Sequence, residues 1–85
     1  MADTKPIRVV IVDDERLFAE LMRVALRAAD CIEVLAVVHD VKSAIVALNE
    51  HRPDVVIADY HLPDGTGADL ARAVRGSLPD TSFSC

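Results

Sequence analysis

Asp13, Asp14 and Asp59 are the residues whose setting could do chemistry. The pair Asp13-Asp14 ends the apolar run Ile7-Arg8-Val9-Val10-Ile11-Val12, and Asp59 ends the run Val55-Val56-Ile57-Ala58. Two buried strands that each stop on carboxylates can bring three acids to one edge of a sheet. At ~4 Å, two unit charges repel by ~1 kcal/mol in water and by ~4 kcal/mol at an effective dielectric of about 20. A protein that keeps such a cluster binds a hard cation there, or lets one acid hold a proton. Magnesium suits an all-oxygen set and keeps several of its waters. An aspartate beside it can act as a nucleophile toward a phosphoryl group, because the ion offsets charge on the incoming oxygens.

The elements around these acids must form a scaffold that gathers them. Residues 7–12 read as a strand buried on both faces. Residues 15–29 read as an amphipathic helix, with Asp13-Asp14 as its N-cap and Leu17, Phe18, Leu21, Met22, Ala25 and Ala28 on its inward side. A second strand is expected over 32–38. A helix over 41–50 follows, capped by Asp40, with Val41, Ala44, Ile45 and Leu48 on one face and Pro53 as its stop. The third strand is expected over 55–58, followed by a loop at His61-Leu62-Pro63-Asp64-Gly65 rich in turn formers.

Thr66-Gly67-Ala68-Asp69 has the form of a capping box for a helix over 67–75, which Gly76 ends. The tail reaches the start of a fourth strand at about 81–85, too short to serve as one. The order β-α-β-α-β-α implies an α/β fold with a parallel sheet and right-handed crossovers. Ligands gather beyond the carboxyl ends of such strands. If the first and third strands are neighbours, ~4.8 Å apart, their three carboxylates can share one ion.

Eighty-five residues allow one small domain, and an apolar fraction of 52% speaks for a packed core. A net charge of −5, with scattered arginines and two distant lysines, argues against nucleic-acid contact by this segment. No apolar run approaches the ~20 residues that span a bilayer. The start Met1-Ala2-Asp3-Thr4-Lys5-Pro6 lacks the form of a signal peptide, so a cytoplasmic location is expected, without membrane contact. Cys31 and Cys85 make neither a metal motif nor a disulfide framework. His39 and His51 lack ligand-like spacing and read as packing residues, as do Phe18 and Tyr60. Gly65-Thr66-Gly67 lacks the third glycine of a dinucleotide fingerprint.

V-D-D-E at 12–15, V-V-I-A-D at 55–59 and the loop D-Y-H-L-P-D-G-T-G at 59–67 together resemble the receiver domain of two-component response regulators. The likeness covers about residues 7–81, and its loop is similar to receivers of LuxR/NarL-type transcription regulators. It implies a flavodoxin-like (CheY-like) receiver fold with strand order 2-1-3, incomplete at the C-terminus and truncated after the third helix. It implies that Asp59 is the phosphoacceptor, forming an acyl phosphate with a phosphoryl group from a sensor histidine kinase. Mg²⁺ would be held directly by Asp14, through a water by Asp13, and by Asp59 and the backbone carbonyl of His61. Pro63 and Gly65 would shape the adjoining loop. Such a module signals in transcription regulation and is not an enzyme in its own right.

The family also uses a Thr or Ser at the end of its fourth strand and a Lys after its fifth. Ser82 and Ser84 come too early for the first role, and neither Lys5 nor Lys42 matches the second. Two other functions compete. One is a magnesium-dependent phosphatase with an aspartyl nucleophile, which usually needs a second Asp two positions on, where this chain has His61. The other is an inactive truncated receiver that self-associates through the open edge of its third strand.

Overall fold

The computed structural model describes residues 5–84. The readings made for Met1–Thr4 and for Cys85 lie outside the described residues. Strand β1 (Ile7–Val12) is the centre of the molecule. Val9, Val10, Ile11 and Val12 are all buried, so both of its faces carry core. Helix α1 (Arg16–Arg27) returns the chain to β2 (Ile32–Val38), and helix α2 (Val41–His51) leads to β3 (Val55–Ala58). A small antiparallel hairpin of β4 (His61–Leu62) and β5 (Gly65–Thr66) precedes helix α3 (Gly67–Val74), and β6 (Ser82–Ser84) closes the order.

The main sheet is parallel throughout, in the order β2-β1-β3-β6. The doubly wound arrangement with β1 between β2 and β3 is therefore present, with a fourth strand beyond it. Alternation along β1 divides the core in two. Val10 and Val12 point to the side covered by α2 and α3, where they meet Ala44, Leu48, Val56, Leu70 and Val74. Val9 and Ile11 point to the side of α1 and meet Ala19. The sheet register shifts between Val9 and Val10, so Leu35 makes a bulge in the edge strand β2.

Five expectations need correction. The tail does form a strand: β6 pairs in parallel with β3, Val55 opposite Ser82 and Ile57 opposite Ser84. Three residues suffice because the entry is fixed. The Thr81 hydroxyl donates to the Pro53 carbonyl at 2.8 Å, the Ser82 N–H donates to the Asp54 carbonyl at 2.9 Å, and Phe83 packs on the core. The third strand consequently has a partner on that edge, and the open edge expected there is not present.

Asp13-Asp14 does not cap α1. Glu15 holds the N-cap position without a side-chain cap bond, and the Asp13 carboxylate instead accepts from the Glu15 N–H at 2.9 Å. The inward face of α1 is also rotated from the one expected. Ala19, Met22 and Leu26 meet the sheet, while Leu17, Phe18 and Leu21 are exposed. The helix lies over β1 and β2, so among the described residues no helix covers this face over β3 and β6. Phe18 and Tyr60 are accordingly exposed residues, not packed ones.

Candidate functional site

The register of the sheet places the acids. Val12 of β1 is opposite Ala58 of β3, so Asp13 and Asp59 are the next residues on two adjacent parallel strands. The ladder continues one step past them: Asp59 N–H donates to the Val12 carbonyl at 2.9 Å, and Asp13 N–H donates to the Val38 carbonyl at 3.0 Å. His39 adds a contact between its Nδ1 and the Asp13 carbonyl oxygen at 2.9 Å. The backbones carrying the acids are thus fixed by β2, β1 and β3 together.

The side chains converge. Asp13, Asp14 and Asp59 each offer a carboxylate oxygen, and these oxygens lie within 4.8 Å of one another. Asp13 is buried, at 7% exposure, whereas Asp14 is open to solvent. Among the described residues the ion pairs are Arg23 with Glu20 and Arg72 with Asp69, so no cationic side chain pairs with this cluster. Three carboxylates, one of them buried and none offset by Lys or Arg, form a donor set that fits a hard divalent cation.

The other residues of interest surround this edge. His61 begins the hairpin two positions after Asp59; its imidazole is exposed, lies edge-on to Tyr60 and takes no part in the carboxylate group. Pro63 sits in the hairpin turn, and Gly65 begins β5 with φ 157°. A Cβ at Gly65 would come within 3.2 Å of both Val41 Cγ2 and Asp69 Oδ2, so close packing requires the bare α-carbon. Ser84 is level with Ile57, roughly 6.6 Å along the strand below the level of Asp59. His51 offers its carbonyl to Arg8 Nη2 at 2.6 Å and is far from the acids in the fold, at the other end of α2.

Three contributors are not evident from motif spacing. Gly67 opens α3 directly against the backbone of Asp59, and its N–H donates to the Tyr60 carbonyl at 2.9 Å. Asp64 reaches away from the cluster to the N-terminus of α2. Phe18, Met22, Ile57 and Ala58, together with Asp13 and Asp59, line a cavity of about 230 Å³. The capping box of α3 was legible, with Thr66 and Asp69 each accepting from the other's backbone N–H at 3.0 Å. Those bonds hold the Asp69 carboxyl below the ordinary carboxylate range, the Thr66 backbone N–H first among the causes.

Comparison with known proteins agrees with this geometry. The sequence profile of the response regulator receiver domain matches residues 9–83. The chain is 41% identical over 78 residues to the transcriptional regulatory protein TcrX of Mycobacterium tuberculosis, covering 92% of this chain and 32% of that one. It is 43% identical over 75 residues to a protein-glutamate methylesterase/protein-glutamine glutaminase of Anaeromyxobacter dehalogenans, covering 88% of this chain and 22% of that one. Among solved structures it superimposes on the signal receiver domain of the response regulator NarL from Mycobacterium tuberculosis. The TM-score is 0.86 at 36% identity, over 93% of this chain and 64% of that one. The chain thus spans between about a fifth and a third of the length of these curated relatives. With the profile, the sheet order and the acid-bearing strand ends in agreement, the chain belongs to the response regulator receiver domain family of two-component systems.

Proposed function

We propose that Asp59 accepts a phosphoryl group from a phosphohistidine of a sensor kinase, in a site that holds Mg²⁺. The observation that carries this reading is the convergence of Asp13, Asp14 and Asp59 within 4.8 Å at the ends of two adjacent parallel strands. Asp13, Asp14, Asp59 and the backbone carbonyl of His61 are the groups that would hold the ion. Bound there, Mg²⁺ supplies charge that offsets the phosphoryl oxygens.

The rest is done by the chain itself. A carboxylate oxygen of Asp59 attacks phosphorus, a P–O bond forms, and the P–N bond to the imidazole breaks with its electron pair returning to nitrogen. The product is an acyl phosphate on Asp59 and a free histidine on the donor. The rigid ladder beneath Asp13 and Asp59 holds the nucleophile in place, so that little orientational freedom is lost on reaction. Asp13 is held in turn by the Glu15 N–H, which fixes one of its oxygens at 2.9 Å.

Transfer of this kind is stoichiometric, so the module is a signalling acceptor and not a turnover enzyme. The relative from Anaeromyxobacter is a reminder that a receiver can share a chain with an enzyme. Similarity to transcriptional regulatory proteins favours transcription regulation as the output, and a cytoplasmic location goes with it. None of the helices of the described residues is long and apolar enough to cross a membrane. Residues 7–84 act here as one receiver unit.

The test is incubation with Mg²⁺ and acetyl phosphate followed by intact-mass measurement. One added phosphoryl group that is absent in Asp59→Asn supports the reading. An unmodified chain, or a modification that survives Asp59→Asn, contradicts it. Continuous phosphate release without accumulation would instead favour an aspartyl-nucleophile phosphatase.

A further inference from the structure

Asp64 lies outside the three clustered acids, yet both of its carboxylate oxygens are engaged. Oδ1 accepts from the Val41 N–H at 2.7 Å and Oδ2 from the Lys42 N–H at 3.1 Å. These are the first two residues of α2, and the third, Ser43, donates its N–H to Asp40 Oδ1 at 2.7 Å. A helix leaves its first N–H groups without internal partners, and carboxylates satisfy them best where the helix dipole is positive. Asp40 does so as an ordinary N-cap from its own helix. Asp64 does so from the hairpin that follows Asp59, five positions after it in the chain.

That hairpin is held at three points. Its far end is tied to α3 by the Thr66–Asp69 capping box, and Gly67 N–H donates to the Tyr60 carbonyl at 2.9 Å. Asp64 supplies the third attachment, to α2. Gly65 allows the approach, since a Cβ there would lie 3.2 Å from Val41 Cγ2. Without Asp64, the turn at Pro63 would have no described hydrogen bond to the α2 side of the sheet.

We infer that Asp64 is a positioning residue of the acid site: its two bonds to the start of α2 fix the hairpin beside Asp59 and link that helix to events at the carboxylates. The inference rests on the magnesium-dependent reading given above and extends it to a named anchor. It differs from simple helix capping in one respect. Loss of Asp64 must alter ion binding at the site, whereas loss of Asp40, a cap on the same helix end whose described side-chain hydrogen bond goes to Ser43 and not to the hairpin, must not.

The experiment is calorimetric titration of the 85-residue chain with Mg²⁺, for wild type, Asp64→Ala, Asp64→Asn and Asp40→Ala. Amide hydrogen exchange at Val41 and Lys42 is followed in parallel. Asp64→Ala is expected to raise the half-saturating Mg²⁺ concentration roughly tenfold, the scale on which outer partners of metal ligands act. Asp64→Asn keeps one acceptor oxygen and should fall between, while Asp40→Ala stays within about twofold of wild type. Mg²⁺ should also slow exchange at Val41 and Lys42 in wild type but not in Asp64→Ala.

Equal shifts in Asp64→Ala and Asp40→Ala would overturn the inference, because helix stability alone would then explain them. An unchanged midpoint in Asp64→Ala would also overturn it, while leaving the magnesium reading intact. A wild-type chain that binds no Mg²⁺ would remove that reading and the inference with it. Should Asp64→Ala fail to fold, the comparison of Asp64→Asn with Asp40→Ala decides.

Discussion

Gly67 rests on the backbone of Asp59: a Cβ at position 67 would lie 3.0 Å from the Asp59 carbonyl oxygen and 3.6 Å from the Ala58 side chain. The first turn of α3 can therefore approach the proposed nucleophile only through a bare α-carbon. Gly67→Ala should force the helix or the strand end to move, at a cost of about 1–3 kcal/mol, the usual penalty for overfilling a packed site. Urea denaturation measures that cost. The same variant should accept less phosphoryl from acetyl phosphate even where it is fully folded, because the displaced group is the Asp59 backbone.

Helix α2 is held at its C-terminal end by a charge as well. Arg8 donates through Nη1 to the Arg52 carbonyl at 2.8 Å and through Nη2 to the His51 carbonyl at 2.6 Å. Arg52 itself is left-handed, at φ 49°, and ends the helix before Pro53. Arg8→Met keeps much of the aliphatic stem and loses both bonds, and it should destabilise the chain by about 1–3 kcal/mol. Equilibrium unfolding of the two proteins is the check.

Two capping carboxyls make stability depend on pH. The Ser43 backbone N–H holds the Asp40 carboxyl below its ordinary value of 3.8, and the Thr66 backbone N–H does the same for Asp69. A carboxyl with a folded pKa below its unfolded one stabilises the folded chain only while ionised. The contribution is therefore complete above the unfolded value, begins to fade as pH falls past 3.8, and is lost below the folded values. The urea midpoints of wild type and Asp69→Asn should differ at about pH 6 and converge toward about pH 2. A difference that persists undiminished at low pH would refute this role for Asp69.

The two sides of the helical layer should respond differently to truncation. Leu48 is fully buried between α2 and the sheet, whereas Leu21 on α1 is 59% exposed. Leu48→Ala should cost about 2–5 kcal/mol. Leu21→Gln should stay within about 0.5 kcal/mol of wild type, as for a surface position. Thermal melts of the pair would show which leucine belongs to the core.

That contrast marks where the sequence was legible. The strands followed from short β-branched runs, because a doubly covered parallel sheet tolerates few polar residues, and Asp13, Asp14 and Asp59 fell at strand ends for the same reason. Helix periodicity was less informative at α1. Leu17, Phe18, Leu21 and Met22 form a wide apolar band, and only Met22 meets the sheet with Ala19 and Leu26. Periodicity reports an apolar side but not which part of it a neighbour covers. The strand at Ser82–Ser84 was missed because its sequence is polar and short; its pairing is set by the bonds of Thr81 to Pro53 and of Ser82 to Asp54, each across 28 positions, not by local pattern. Asp64 was read as a turn former, since a carboxylate that caps a distant helix has no local signature.

The central claim is that Asp13, Asp14 and Asp59 share one divalent ion. Titration of the isotopically labelled chain with Mg²⁺, followed by amide chemical shifts, tests it most directly. The amides of residues 13, 14 and 59–61 should move together, saturate at a single common midpoint, and cease to respond in Asp13→Asn/Asp59→Asn. Shifts with separate midpoints, or an undiminished response in that double variant, would contradict it.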